Sequence, residues 1–271
     1  MVRSLWTGAT GMIAQQTNLD TIANNLASVN TTGYKTQTNE FKSLLYQTIQ
    51  TETTSANGET KPTSAQVGLG VRNASINTVF TQGSLLSSEK DTDFAINGKG
   101  FFAVQGDDGN TYYTRNGTFQ WSVASTGHML CDSQGNPVID TNGKPIVLGN
   151  QYTMSKVTVG RDGSVLYPDE QNNPQPIGFT IGLFQFNNPG GLKREGDNLY
   201  SQTAASGQPL NEATNNNLDK SSVIQYYLEG SNVNVADEMV NMITTQRAYE
   251  FNSKVITTSD TMLEEANNLR R

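Results

Sequence analysis

The chain has 271 residues, of which 35% are hydrophobic and 16% charged, and its formal net charge is −7. This acidic balance, without any run of Lys or Arg, argues against binding to the phosphate backbone of nucleic acids. The single cysteine excludes an intramolecular disulfide. No stretch approaches the roughly 18 consecutive apolar residues of a transmembrane helix, so we expect no membrane insertion.

The first predicted element is a long helix within residues 1–34. Its large apolar residues recur every seven positions without an intervening proline: Leu5, Met12, Leu19 and Leu26. A seven-residue apolar repeat is typical of a coiled-coil seam. Gly33 is suited to the left-handed conformation that commonly follows the end of a helix, so we expect it to cap this one.

Residues 35–90 and 205–230 are predicted to be extended connectors. The first of these contains a polar, turn-prone segment, residues 46–63, with too few apolar residues for a core of its own. Long loops of this kind in compact proteins are usually functional or disordered. The candidate functional residues of the segment are Tyr46, Gln47, Thr48, Ile49 and Pro62.

Residues 91–204 are predicted to form an all-β domain. Short apolar runs, such as the one from Phe101 to Val104, alternate with turn signals throughout this region. Asn-Gly and Asp-Gly pairs between such runs are strong hairpin signals, and Asn97-Gly98 and Asp162-Gly163 are two examples.

The far end of the chain, residues 231–271, repeats the helical pattern. Asn234 is a suitable N-cap, and Asp237 and Glu238 in the first turn suit the helix dipole. One apolar seam with seven-residue spacing consists of Val235, Met242, Tyr249, Ile256 and Leu263. A second seam consists of Val255, Met262 and Leu269.

The predicted fold class is therefore α+β, with long coiled-coil-like helices at both ends and an inserted all-β domain. Neither helix can bury its apolar stripe locally, and an isolated helix is marginal in water. Because each buried Leu or Met contributes about 1.5–3 kcal/mol, the stripes need the opposite terminus, other copies of the chain, or both. Two seams on the second helix favour both, so we predict that residues 1–34 and 231–271 pair and polymerise.

Signals for catalysis are weak, and we predict no enzyme, no cofactor and no metal site. His128 is the only histidine and lies in a turn-like stretch, so we expect it in an exposed loop. The G-x-G-x-x-A match at residues 98–103 continues into a strand pattern, which fits a turn better than a nucleotide site. Trp121, Tyr112 and Tyr113 could form a sugar-stacking platform, but cross-strand packing is the simpler interpretation of these rings.

Residues 23–35, ANNLASVNTTGYK, resemble the A-N-N-L-A-N-x-x-T-x-G-[FY]-K signature of bacterial flagellar rod and hook proteins, with Ser28 at a position where Asn is commoner. The signature includes Asn24, Asn25 and Gly33. Other segments resemble the middle and end signatures of this family: residues 93–102, 113–117, 229–235, 238–240 and 245–250. The resemblance covers the whole chain and implies a structural subunit of an axial polymer.

The resemblance also implies a location and partners. It implies a rigid helical tube, built from copies of the chain, that crosses the periplasm and joins proximal rod proteins to hook proteins. The tube transmits torque and turns inside ring bushing proteins, with the terminal helices in its inner layer and the β domain in its outer layer. It further implies delivery by the flagellar export apparatus without a cleaved signal peptide. We expect Asn24 and Asn25 to cap or bridge backbone groups between helices.

Within the family, the opening Arg3-Ser4-Leu5-Trp6, the length and residues 46–63 are typical of subunits of the distal rod. A proximal rod or hook subunit is the nearest alternative, although residues 46–63 argue against a hook subunit. From a different class, the alternative is a carbohydrate-binding β domain with oligomerising helices at its ends.

Overall fold

The computed structural model describes residues 2–50, 65–124, 127–215 and 217–269. It divides into two compact units. The first unit comprises Met1–Ala27, Gln37–Thr78 and Asn234–Arg271, and the second comprises Ser28–Thr36 and Val79–Val233. A helix at each end of the chain and a β-rich middle confirm the predicted α+β fold class. Within the described ranges, no helix is long and apolar enough to cross a membrane.

Two long helices dominate the first unit. Helix α1 spans Val2–Ala27 and helix α2 spans Val235–Asn268, and the two run antiparallel in contact with each other. The side chain of Asn234 accepts a hydrogen bond from the backbone N–H of Ala236, which is the N-cap expected from the sequence.

The first unit also contains four strands, which pair in an antiparallel ribbon. They are β1 (Gln37–Ser43), β2 (Tyr46–Gln50), β3 (Ala65–Gly68) and β4 (Val71–Thr78). Strand β1 pairs with β4, and β2 pairs with β3. The sequence predicts an extended connector here, whereas the structure has a paired ladder. The ribbon lacks the strict apolar–polar alternation that reveals a half-buried strand, so the pattern gave little sign of pairing.

The second unit is built from short antiparallel strands. In chain order they are β5 (Leu85–Ser87), β6 (Phe94–Asn97), β7 (Phe101–Gln105), β8 (Thr111–Thr114), β9 (Gln120–Ala124), β10 (Gly127–Cys131), β11 (Val147–Leu148), β12 (Thr158–Val159), β13 (Ser164–Pro168), β14 (Pro174–Thr180), β15 (Leu183–Gln185), β16 (Lys193–Gly196), β17 (Leu199–Ser201), β18 (Leu210–Asn211), β19 (Ser222–Gln225) and β20 (Tyr227–Glu229). Two short 3-10 helices span Met154–Lys156 and Pro189–Gly191.

These strands form several small sheets around one larger sheet. The larger sheet has six strands in the order β16-β17-β8-β7-β15-β18, and two three-stranded sheets have the orders β11-β10-β9 and β12-β13-β14. Strand β19 pairs with β6, and β20 pairs with β5. The last three strands fall in residues 205–230, where the sequence predicts an extended connector. Short strands that pair with distant segments leave little local signal.

The core of the second unit lies on both faces of β7. Successive side chains of a strand point to opposite faces, so Phe102 and Val104 enter one apolar cluster while Phe101 and Ala103 enter another. All four residues are 1% exposed or less. Burial on both faces explains why this run is continuously apolar.

Turns in the second unit use the glycines and aspartates of the predicted turn pairs. The glycines with positive φ include Gly98, Gly109, Gly143 and Gly163. Aspartates accept a hydrogen bond from the backbone N–H two residues further on, as in the turns that begin at Asp108, Asp140 and Asp162. These carboxylates stabilise turns, which accounts for their frequency without a catalytic role.

The prediction for His128 was wrong, because this residue lies in strand β10 and its side chain is half-buried. Cys131 ends the same strand and is buried, and burial raises the pKa of its thiol. A thiol of this kind is unreactive.

Candidate functional site

The face on which α1 and α2 meet is lined by small and polar residues. At seven-residue intervals it carries Ser4, Gly11 and Asn18 on α1, and Thr245, Asn252 and Ser259 on α2. The hydroxyl oxygens of Ser4 and Ser259 lie 3.1 Å apart. Asn18 Nδ2 donates to Thr245 Oγ1 over 2.9 Å. A Cβ on Gly11 would lie 2.8 Å from Asn252 Nδ2, so glycine permits the close approach of the helices.

The predicted apolar seam is only partly covered by this contact, in which Ile256 packs against Gly8. Its half-buried members are Leu5, Met12, Leu19, Leu26, Met242, Ile256 and Leu263. Val235 and Tyr249 are exposed by 40% and 42%. Each seam residue therefore keeps part of its apolar surface open, because the small residues determine which faces of the helices meet.

Large apolar side chains cover much of the outer surface of the helix pair. Trp6 and Ile13 on α1 are 68% and 65% exposed, and Phe251 on α2 is 68% exposed. The second predicted seam is exposed as well, and it consists of Val255, Met262 and Leu269. Large apolar groups exposed in this number are typical of an interaction surface.

Asn25 connects α1 to the strand ribbon. Its Nδ2 donates to the carbonyl oxygen of Gln37 over 2.8 Å, and its Oδ1 accepts from the N–H of the same residue over 2.9 Å. The side chain is buried, whereas Asn24 is exposed. We expected Asn24 and Asn25 to contact backbone groups of another helix. Asn25 instead connects α1 to the backbone of strand β1.

Gly33 has the predicted left-handed conformation, with a φ of +70°. It does not cap α1, which already ends at Ala27. Its N–H donates to the carbonyl oxygen of Glu229 over 2.8 Å. A Cβ here would lie 2.6 Å from the backbone nitrogen of Asn116 and 2.7 Å from the carbonyl carbon of Arg115. Only glycine fits this close crossing of chain segments.

Three ionised side chains meet in the interior of the second unit, and we call them the buried triad: Lys35, Arg115 and Glu229. Lys35 Nζ lies 2.6 Å from Glu229 Oε1, and Arg115 Nη1 lies 3.1 Å from Glu229 Oε2. None of the three side chains is more than 2% exposed. Lys35 also donates to the carbonyl oxygen of Thr81, and Arg115 to that of Gly98, each over 2.7 Å.

The electrostatics of the buried triad depend on its carboxylate. Burial lowers the pKa of the Lys35 ammonium, and attraction to Glu229 opposes that shift. Burial likewise lowers the pKa of the Arg115 guanidinium, again against the attraction of Glu229. One carboxylate therefore compensates two desolvated cations. Since Lys35 follows α1 in the chain and Glu229 precedes α2, the triad joins the segments that lead to the two helices.

Sequence reasoning missed the buried triad, although its members lie in segments that carry the family resemblance. Lys35 and Glu229 are 194 positions apart, and no periodicity joins residues at that distance. The available signal was that Lys35, Arg115 and Glu229 each stand within or at the edge of a family motif. The polar contact face of the helices was also missed, although Ser4, Gly11 and Asn18 recur every seven residues.

The predicted rod-specific segment is described only in part. The residues that lie on β2, and are exposed there, are Tyr46, Gln47, Thr48 and Ile49. Tyr46 is 61% exposed and Ile49 is 60% exposed. Pro62 lies outside the described residues.

The three rings of the alternative sugar platform do not share a surface. Tyr113 is buried, and its ring centre lies 4.8 Å from that of Phe186 in an edge-to-face contact. Tyr112 and Trp121 pack against the other apolar cluster. In the part of the chain that the structure describes, no group of three or more His, Cys, Asp or Glu residues could hold a metal ion.

Comparison with known proteins gives the same assignment over the whole chain. Three family models match: "Flagella basal body rod protein" over residues 5–35, "Flagellar hook protein FlgE/F/G D1 domain" over 95–167, and "Flagellar basal body rod FlgEFG protein C-terminal" over 224–269. These ranges contain most of α1, strands β7 to β12 of the second unit, and all of α2.

Full-length relatives carry the name flagellar basal-body rod protein FlgG. The protein of Buchnera aphidicola subsp. Schizaphis graminum is 44% identical over 99% of this chain and 100% of its own length. The proteins of Borreliella burgdorferi and Bacillus subtilis are 43% and 36% identical, each over 100% of both chains. These relatives are thus named as rod proteins of the flagellar basal body. The chain therefore belongs to the flagellar basal-body rod family and is a structural subunit of the flagellar rod.

Proposed function

We propose that the chain polymerises through α1 and α2 into the rigid helical tube of the distal rod, which transmits torque from the motor to the hook. The observation that carries this proposal is the distribution of side chains on the helix pair. The contact between the helices includes polar pairs such as Asn18 with Thr245, whereas Trp6, Ile13 and Phe251 are exposed. Burying one such side chain against a neighbouring copy contributes about 1.5–3 kcal/mol. Repeated on every subunit, these contacts favour the polymer.

The same proposal assigns positions and partners. The helices form the inner layer of the tube and the β-rich unit its outer layer. Proximal rod and hook proteins adjoin the two ends, and ring bushing proteins surround the tube where it crosses the periplasm. The subunit arrives through the flagellar export apparatus without cleavage of a signal peptide. Full-length similarity to FlgG proteins supports the distal rod over a proximal rod or hook subunit.

Residues 46–63 are proposed to bridge neighbouring copies along the tube. Tyr46 and Ile49, exposed on β2, offer apolar contacts to such a neighbour. Contacts of modest strength, repeated on each subunit, would block the sliding between copies that permits bending.

Electron microscopy of the purified chain tests both parts of the proposal. We expect straight tubes from the full chain, and curved, hook-like structures from a chain that lacks residues 46–63. The deletion should leave polymerisation intact, because it removes neither helix. Straight tubes from the deletion variant would refute the bridging role alone. A full chain that stays monomeric at high concentration would refute polymerisation itself.

A further inference from the structure

A polar pocket of the first unit has no role in the function proposed above. It has a volume of about 260 Å³ and is lined by residues of α1, β1 and α2. Amide and hydroxyl groups make up most of the lining, among them Asn18, Thr21, Asn39 and Thr245. Glu238, in the first turns of α2, is the one charged residue in the lining.

Two acceptor atoms of this lining find no donor in the described part of the chain. Glu238 is 8% exposed, and its Oε2 is buried without a hydrogen-bond partner. Oδ1 of Asn39 is buried without a partner as well. Proteins rarely leave such groups unpaired, because the desolvation of a carboxylate is then uncompensated. The dipole of α2 favours the negative charge but supplies no N–H at this oxygen.

The pocket therefore fits a group that is cationic and rich in N–H donors. Ca²⁺ takes six to eight oxygen ligands, usually with more than one carboxylate, whereas this lining contains a single carboxylate. The volume also exceeds by far that of one water molecule, about 30 Å³. A guanidinium with five donors, or an ammonium with three, can serve both orphan acceptors. The terminal torsion of Glu is broad, so the carboxylate can turn toward such a guest.

We propose that this pocket receives a Lys or Arg side chain from a neighbouring copy of the chain. The proposal rests on polymerisation through α1 and α2, whose surfaces surround the pocket. The first unit carries exposed cations that make no ion pair within the described residues: Arg3, Lys42, Arg72 and Lys254. A contact between a pocket on one copy and a different surface on the next is heterologous, which is the contact type that generates open helical filaments.

Glu238→Gln tests the proposal, because it removes the charge and keeps the size of the side chain. We expect the critical concentration for polymerisation to rise about tenfold or more, since truncating one partner of a desolvated charge pair weakens association. The salt dependence of polymerisation should also decrease. The unfolding midpoint of the monomer should stay the same or rise, because an unpaired buried charge is lost. Glu264→Gln, at an exposed position of the same helix, is the matched control and should behave as the parent chain.

Double-mutant cycles identify which Lys or Arg side chain of the neighbouring copy enters the pocket. Each exposed cation named above is replaced by Gln, and one of these variants should reproduce the rise in critical concentration. Combined with Glu238→Gln, that variant should add no further loss, because the two residues act as one pair. A set in which none of the four couples to Glu238 would overturn the proposal.

Three other results would overturn it. These are unchanged polymerisation of Glu238→Gln, a lowered unfolding midpoint of its monomer, and stabilisation of the parent monomer, but not the variant, by added CaCl₂ or MgCl₂. The last result would assign the pocket to a metal ion. A parent chain that does not polymerise would refute the proposed function, whereas equal polymerisation of the parent chain and of Glu238→Gln would overturn this inference alone.

Discussion

Glu229→Gln is expected to lower the stability of the second unit by about 3–5 kcal/mol, the usual effect of breaking a buried ion pair. The change removes the carboxylate that lies 2.6 Å from Lys35 Nζ and 3.1 Å from Arg115 Nη1, and leaves two buried cations uncompensated. Since whole domains are stable by only about 5–15 kcal/mol, the loss should be obvious. Denaturant unfolding followed by the fluorescence of Trp121 measures this loss of stability in the second unit. A Trp6→Phe background removes the fluorescence of the tryptophan in the first unit.

Glu195→Gln is the matched control for this prediction. Glu195 also forms an ion pair, 2.9 Å from Lys193 Nζ, but that pair is exposed. Surface pairs contribute about 0–1 kcal/mol, so its loss should be small. Because burial already lowers the pKa of Lys35, the unpaired ammonium of Glu229→Gln should release its proton at a lower pH than an ordinary lysine, so the deficit in stability should shrink as the pH rises. Equal stabilities of the two variants would contradict a structural role for the buried triad.

Phe251→Asp should abolish polymerisation without destabilising the monomer. Phe251 is 68% exposed, so the change removes few contacts within the chain. In the polymer it replaces about 1.5–3 kcal/mol of apolar burial by a carboxylate whose desolvation is unfavourable by several kcal/mol. The loss recurs on every subunit. Sedimentation at concentrations at which the parent chain forms polymer measures the effect, and thermal unfolding checks the monomer.

Val123→Asp provides the comparison for Phe251→Asp. Val123 is 83% exposed on β9 in the second unit, so the same kind of change is made on an apolar residue that is not part of either helix. We expect this variant to polymerise normally. If Val123→Asp lost polymerisation and Phe251→Asp kept it, the interface would lie on the second unit.

Local patterns predicted those parts of the fold whose causes are local. The seven-residue apolar repeats placed α1 and α2, and the cap at Asn234 located the start of the second helix. Gly-containing turns such as Asn97-Gly98 identified the β-rich middle. The ribbon of β1 to β4 was not predicted, because its strands are mostly exposed and lack strict alternation. Its pairing depends on the register of Gln37 with Thr78, which no short window contains.

The candidate site was predicted only in part for a related reason. Apolar residues dominate heptad analysis, so Leu5 and Met12 stood out while Ser4 and Gly11 did not. The close approach of the two helices is nevertheless governed by their smallest residues. The residues of the predicted apolar seam are therefore only partly covered. Charged residues are normally expected at the surface, so the sequence alone did not indicate that Lys35 is buried. Its burial is explained by the ion pair with Glu229.

Assembly through the terminal helices can be tested by hydrogen exchange of the amides, compared between dilute monomer and sedimented polymer. We expect exchange in α1 and α2 to slow by orders of magnitude on polymerisation, because helices whose apolar faces lack partners open easily. The strands around Phe101 to Val104, already buried in the monomer, should change little. Helix amides that exchange at the same rate in monomer and polymer would contradict assembly through the terminal helices.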